Sequence, residues 1–179
     1  KVRHEIDFAF KCAQHDGNSF LKLDWDKARM VPTLRWAEGE VVFDPLGHGH
    51  LNRARWLSEI IERPLSDVLK DPSFSAEAKE RLKEEYTTNR PFDKVDYERV
   101  VKLYYIWAKD GWEPWIRSTG RQLVVICHDI QDEPLLIGPW PWDFLADEMF
   151  PYVMFRLNTL PGQQMGVPDF QIAEPLLQQ

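Results

Sequence analysis

The sequence has little cysteine, no long apolar run and, over its last third, almost no basic charge, and each shortage closes off a class of protein. Two cysteines cannot build a disulfide framework, and Cys12 and Cys127, far apart in the chain, read as free thiols of an intracellular protein. No apolar stretch approaches the roughly 18 residues that cross a bilayer, and the N-terminus lacks a basic-then-apolar signal pattern, so a soluble domain without a membrane partner is expected. The phosphate cradles G-x-x-x-x-G-K-[ST] and G-x-G-x-x-G and the nucleophile elbow G-x-S-x-G are missing. No repeat of fixed period and no low-complexity stretch appears.

Basic charge is short where it would matter most for nucleic acid. From Gln122 onward Arg156 stands alone against Asp129, Asp132, Glu133, Asp143, Asp147, Glu148, Asp169 and Glu174, so this stretch carries the whole net charge of −7 and residues 1–121 balance. Gripping a phosphate backbone needs clustered Lys and Arg, because affinity comes largely from counterion release. Neither part of the chain offers such a cluster. A surface that DNA can pass without sticking is compatible with this balance.

What is present is core material. At 179 residues, with 44% hydrophobic residues, 8 Trp and 10 Phe, the chain is a packed globular protein rather than a disordered, collagenous or coiled-coil one. The size suits one domain over residues 1–179. Beginning at Lys1 without a methionine and stopping in Leu176-Leu177-Gln178-Gln179, the chain reads as a piece of a longer one.

Ile6, Ala9, Phe10 and Ala13 fall at helical spacing and Asp16-Gly17 is a stop signal, which predicts a helix from Val2 to His15. Leu21, Leu23 and Trp25 alternate with Lys22 and Asp24 as a strand does, and Pro32 to Trp36 and Glu40 to Phe43 read as two more. Ala54 to Glu62 leans to strand, Pro64 opens a short helix with Leu65, Val68 and Leu69 on its apolar side, and Ser75 to Tyr86 is a helix with an Ala78, Leu82, Tyr86 stripe and a Glu77–Arg81 pair. Tyr97 to Trp107, Trp112 to Ser118 and Gln122 to Ile130 predict three strands in a meander. Six of the 13 prolines lie from Pro134 to Pro168, a region expected to be irregular apart from an apolar run at Tyr152 to Leu157, before a helical pattern restarts from Asp169 to Gln179. The fold class is α+β, mostly antiparallel strands with segregated helices.

Several residues could carry chemistry. His48 and His50 form an H-x-H pair near Asp44, a spacing that lets two imidazoles reach one metal ion, although the flanking Gly47 and Gly49 equally mark a plain turn. Cys127-His128-Asp129 places a thiol, an imidazole and a carboxylate in a row, but neighbours on a strand point to opposite faces, so core packing for Cys127 is the expectation. Cys12 and His15, one turn apart, are read the same way. The aromatic turn of Trp140 and Trp142, braced by Pro139 and Pro141 near Phe144 and Phe150, can close a core, contact a partner subunit or stack on a sugar. No cofactor is implied. The rival to a structural role is a metal- or thiol-dependent hydrolase using His48 and His50.

The order of the motifs carries more than any one of them. FLKLDWD (20–26), VVFDP (41–45), ARW (54–56), PLSDVLKDPSF (64–74) and VVKLYYIWAKD (100–110) are followed by EPLLIG (133–138), FPYVMFRLNTLPG (150–162) and VPDF (167–170). In this order and at these spacings the chain resembles the portal proteins of tailed bacteriophages, the head-tail connectors at the capsid vertex. The resemblance implies a non-catalytic wing-region piece of a homo-oligomeric ring, commonly of twelve subunits, with residues 138–179 as the proline-rich return towards a helix. It further implies location in the virion after synthesis in the host bacterial cytoplasm, with terminase, scaffold and head-tail adaptor proteins as partners and DNA passing through unread. The GPWPWDFLADEM segment (138–149) is more aromatic than that family leads one to expect, and Trp140, Trp142, Phe144 and Phe150 are the candidate contact residues.

Overall fold

In a computed structural model, which describes residues 2–26, 29–88, 99–109, 120–141, 149–159, 165–169 and 171, the chain is α+β with antiparallel sheets. It divides into two compact units interleaved in sequence: residues 1–38, 43–54 and 143–179 form the first, and residues 39–42 and 55–142 the second.

The first unit opens with α1 (Val2–Asp16), whose Ala9 and Ala13 are fully buried because small side chains let the helix lie close on its neighbours. Of the expected apolar stripe only these two alanines are inside; Ile6 and Phe10 are 39% and 45% exposed, and Val2, one turn before Ile6, is 46% exposed. The helix stops at Gly17, whose φ of 82° is the left-handed geometry that glycine adopts at low cost, and its N–H bonds the Ala13 carbonyl at 2.8 Å. β1 (Asn18–Asp26) is the centre of a three-stranded sheet, paired antiparallel with β2 (Val31–Trp36) and with a late strand, Tyr152–Arg156. Pro32 is tolerated because β2 lies at an edge among the described strands. α1 is keyed to the sheet by polar and aromatic contacts together: the Glu5 carboxylate accepts from the Trp36 N–H at 2.9 Å, the Trp36 indole donates to Ser19 Oγ at 3.2 Å, and Phe8 meets Trp36 edge-on at 5.2 Å.

The second unit is a five-stranded sheet in the order β3 (Glu40–Phe43), β4 (Trp56–Pro64), β5 (Val100–Ala108), β6 (Gln122–Cys127), β7 (Leu136–Pro139), with the late strand of the first unit becoming β8. α2 (Leu65–Lys70) and α3 (Ala76–Thr88) cover one face. Leu65, Val68, Ala78 and Leu82 from the helices meet Val101, Leu103, Val125 and Cys127 from the sheet in the main core. The alternate residues Ile106, Ala108, Val124 and Ile126 form a separate apolar cluster, so β5 and β6 carry apolar side chains on both faces and read as near-continuous hydrophobic runs. Ser75 caps α3, its hydroxyl accepting from the Ala78 N–H at 3.1 Å.

Three expectations change. β5 and β6 pair side by side and antiparallel, Tyr104 opposite Ile126, so no strand stands between them and the meander runs β4-β5-β6-β7; Trp112 to Ser118 lie outside the described residues. The proline-rich region holds β7 as well as β8, with Pro139 ending a strand that has a single neighbour among the described strands, where a missing N–H is harmless. Arg81 reaches Asp132 at 2.6 Å and Glu133 at 3.2 Å instead of Glu77, since two carboxylates of a folded-back loop outcompete one on its own helix. Of the helix expected over Asp169 to Gln179, all but Asp169 and Gln171 lie outside the described residues.

A polar network spans β4, β5 and the end of α2. Arg63 donates to Asp71 at 3.1 Å and to the Tyr105 hydroxyl at 3.3 Å. Burial pushes the Asp71 carboxyl up, but the Ser73 hydroxyl and N–H and the Arg63 guanidinium outweigh it and hold the group below its ordinary value of 3.8. A carboxyl lowered by folding stabilises the fold above the unfolded-state pKa and loses that contribution as pH falls through the folded one. Urea titrations should therefore show wild type more stable than Asp71→Asn by a constant margin above about pH 5, shrinking as the pH drops below 3.8. A margin that grows on acidification would refute the assignment. For the core, Leu103→Ala, at a position with no exposed surface, should cost about 2–5 kcal/mol of unfolding free energy in the same titrations.

Candidate functional site

The H-x-H segment sits on a capped, hydrogen-bonded turn of the first unit. Asp44 is buried and its Oδ1 accepts from the Leu46 N–H at 3.0 Å, opening a 3₁₀ turn at Pro45–Gly47 with proline at its first position. His48 follows in the left-handed region at φ 48° and donates its N–H to the Pro45 carbonyl at 3.1 Å; Gly49 has φ 79°, and a second 3₁₀ turn spans Leu51–Arg53. The turn is tied to β8 by Arg156, whose Nη1 donates to the Gly49 carbonyl at 3.2 Å across 107 residues of sequence.

Turn and strand together form an open groove of about 590 Å³. Its apolar lining comes from Leu51, Met149, Val153 and Met154, its polar lining from His50, Asn52, Arg53 and Arg156. Tyr152 also contributes, buried and with the Lys22 ammonium 5.6 Å from its ring centroid, so a further cation stands behind the groove. Among the described residues none of its lining side chains is a carboxylate. Cations over an apolar lining can hold an anion that carries a hydrophobic neighbour. Of the groove residues the sequence reading named only His50 as a candidate site; the one available signal for the rest was Arg156, the sole basic residue after Arg121, set in the apolar run from Tyr152 to Leu157.

The structure separates the other candidates. Asp44 is occupied as a turn cap, His48 and His50 are exposed, and among the described residues no three His, Cys, Asp or Glu side chains gather as a metal site requires. Cys127 is fully buried in the main core. Burial, reinforced by the Asp129 carboxylate with Oδ2 3.9 Å from Sγ, pushes its thiol up and away from thiolate. His128 is exposed and its Nδ1 lies 3.1 Å from the Tyr104 hydroxyl, while Asp129 receives a hydrogen bond from Tyr86. The thiol and the imidazole thus have different partners. Cys12 is half-buried, its thiol raised by burial and then by Asp16, and His15 is engaged with Asp16 at 2.6 Å.

Trp140 belongs to the second unit, buried edge-on against Trp107 at 5.7 Å, its indole donating to the Gln122 carbonyl at 2.9 Å and the Arg121 guanidinium 5.1 Å from its ring. Phe150 is buried and belongs to the first unit. Trp142 and Phe144 lie outside the described residues. No family model matches the chain, and no curated protein matches it.

The thiol environments set a rank order of reactivity. In native protein a disulfide reagent should modify Cys127 at least about tenfold more slowly than Cys12, with the two rates converging in denaturant. Equal native rates would show that Cys127 is accessible.

Proposed function

We propose that this chain is a structural, non-catalytic part of a portal ring at the capsid vertex of a tailed bacteriophage. The ordered series of motifs from FLKLDWD to VPDF carries this reading. Those described in the structure fall on elements that organise it: FLKLDWD supplies the central strand β1, VVFDP runs from β3 into the Asp44-capped turn, ARW leads into β4, PLSDVLKDPSF makes α2 and the Asp71 turn, and VVKLYYIWAKD contains β5. Residues that define a scaffold in this way suit a part whose work is shape and assembly.

Two further features support the reading. The exposed Val2, Ile6 and Phe10 recur at every fourth residue of α1, an apolar stripe of the kind that subunit contacts cover. The net acidity of the sequence after Gln122 suits a part of a passage that DNA slides through without adhering. In this role the full-length protein is a ring, commonly of twelve copies, built into the virion and contacted by terminase, scaffold and head-tail adaptor proteins. Negative-stain electron microscopy and light-scattering mass on the longer protein containing this sequence should reveal a closed ring of about a dozen copies with a central channel. A monodisperse monomer or dimer at high concentration would count decisively against it.

A further inference from the structure

The two outer strands of the first unit's sheet present different edges. Neighbouring residues of an antiparallel strand turn their N–H and C=O groups to opposite sides, so one bond of known register assigns the whole strand. On β2 the Ala37 N–H bonds the Phe20 carbonyl at 2.9 Å, which turns Val31, Thr33 and Arg35 towards β1 and Pro32, Leu34 and Trp36 outward. That outward edge is blunted: Pro32 has no N–H, and the Trp36 N–H is bonded to the Glu5 carboxylate. On β8 the Leu23 N–H bonds the Pro151 carbonyl at 2.8 Å and the Leu157 N–H bonds the Gly17 carbonyl at 3.0 Å, which turns Val153 and Phe155 towards β1 and Tyr152, Met154 and Arg156 away from it. β8 contains no proline and is an edge among the described strands. The N–H and carbonyl of Met154 have no partner among the described residues. The groove of about 590 Å³ runs beside this edge, with the 49–53 turn on its far side.

Main-chain geometry selects the occupant. A strand edge offers donors and acceptors in alternation, and an extended polypeptide repeats that alternation at the same spacing. A second copy adding head to tail would arrive with the blunted β2, which meets these groups poorly. Side chains agree with a separate strand. Val153, 50% exposed, stands on one face of β8 and Met154 on the other, with Leu51 on the turn, so an added strand has apolar neighbours on both faces, as β-branched residues prefer. We infer that β8 is an augmentation edge, which takes a short extended segment of a partner protein, rich in β-branched side chains, as an added strand centred on Met154. This rests on main-chain groups and apolar packing and calls on no charge in the groove. It stands apart from the portal reading: either can fail without the other.

The test uses the ¹⁵N-labelled 179-residue chain with a capped Thr-Val-Thr-Val-Thr peptide and the same peptide N-methylated at every residue, read by amide hydrogen exchange and by calorimetry. At saturation, exchange at Met154 should slow by about tenfold or more, and by a larger factor than at Val153 and Phe155, whose N–H groups already face β1. The N-methylated peptide keeps the side chains and loses every donor, and should bind at least about tenfold more weakly. Met154→Pro removes the outward N–H and leaves those facing β1 in place, so binding should be lost with an unchanged circular-dichroism melt; where the melt does change, the N-methylated peptide on the unaltered chain decides. The proposal is overturned by no binding at about 1 mM peptide, by equal affinity for the N-methylated peptide, or by binding that leaves exchange at Met154 unaltered. Protection of Met154 that grows with protein concentration in the absence of peptide would likewise refute it and make β8 an edge between copies of this chain.

Discussion

The first unit depends on two glycines whose backbones touch. A Cβ on Gly17 would come within 2.2 Å of the Gly166 carbonyl oxygen, and one on Gly166 within 2.0 Å of that of Gly17. Through that contact the Gly17 carbonyl accepts from the Leu157 N–H at 3.0 Å and the Leu157 carbonyl from the Val167 N–H at 3.2 Å. The end of α1, the exit of β8 and the return of the chain are thereby locked at one point. β8 in turn supplies Tyr152, Val153, Met154 and Arg156 to the groove, so the position of that wall rests on a place where only hydrogen fits.

Electrostatics in this protein works by local exception. Acidic residues dominate the last third, yet several are engaged: Asp132 and Glu133 with Arg81, Asp129 with the Tyr86 hydroxyl. The buried Asp44 is used as a turn cap. Asp71, with Ser73 and Arg63, fixes the end of α2 to the sheet. Cations are gathered in the opposite way, with Arg53, Arg156 and Lys22 reaching one region from three separate stretches of chain.

Legibility in the sequence followed the range of the forces involved. α1, β1, β2, α2 and α3 could be read because helical spacing, strand alternation and the Asp16-Gly17 and Pro64 signals act within a few residues. The same local rule gave the wrong faces on α1: Ile6 and Phe10 look like core by spacing, but the flat approach of the sheet admits Ala9 and Ala13 and leaves the larger side chains outside. The meander was misordered because hydrophobic alternation says that a segment is a strand and not which strand it pairs with. β7 was hidden by prolines that signal irregularity in general and are harmless at the margin of a sheet.

What the sequence by itself determined is the class of the fold and most of its elements; the strand expected over Gln122 to Ile130 instead ends at Cys127, and His128 leaves it in a 3₁₀ turn, so strand alternation is not what parts the two side chains. It also fixed the chemical character of the chain, acidic and without nucleophile or phosphate motifs. Tertiary structure alone decided which strands are neighbours, that the chain folds as two interleaved units, and that Arg53 and Arg156 share a groove. The reason is sequence distance. The contact that builds the groove joins residues 107 apart, and no periodicity or capping rule reaches across a separation that only the packing of β8 on β1 can close.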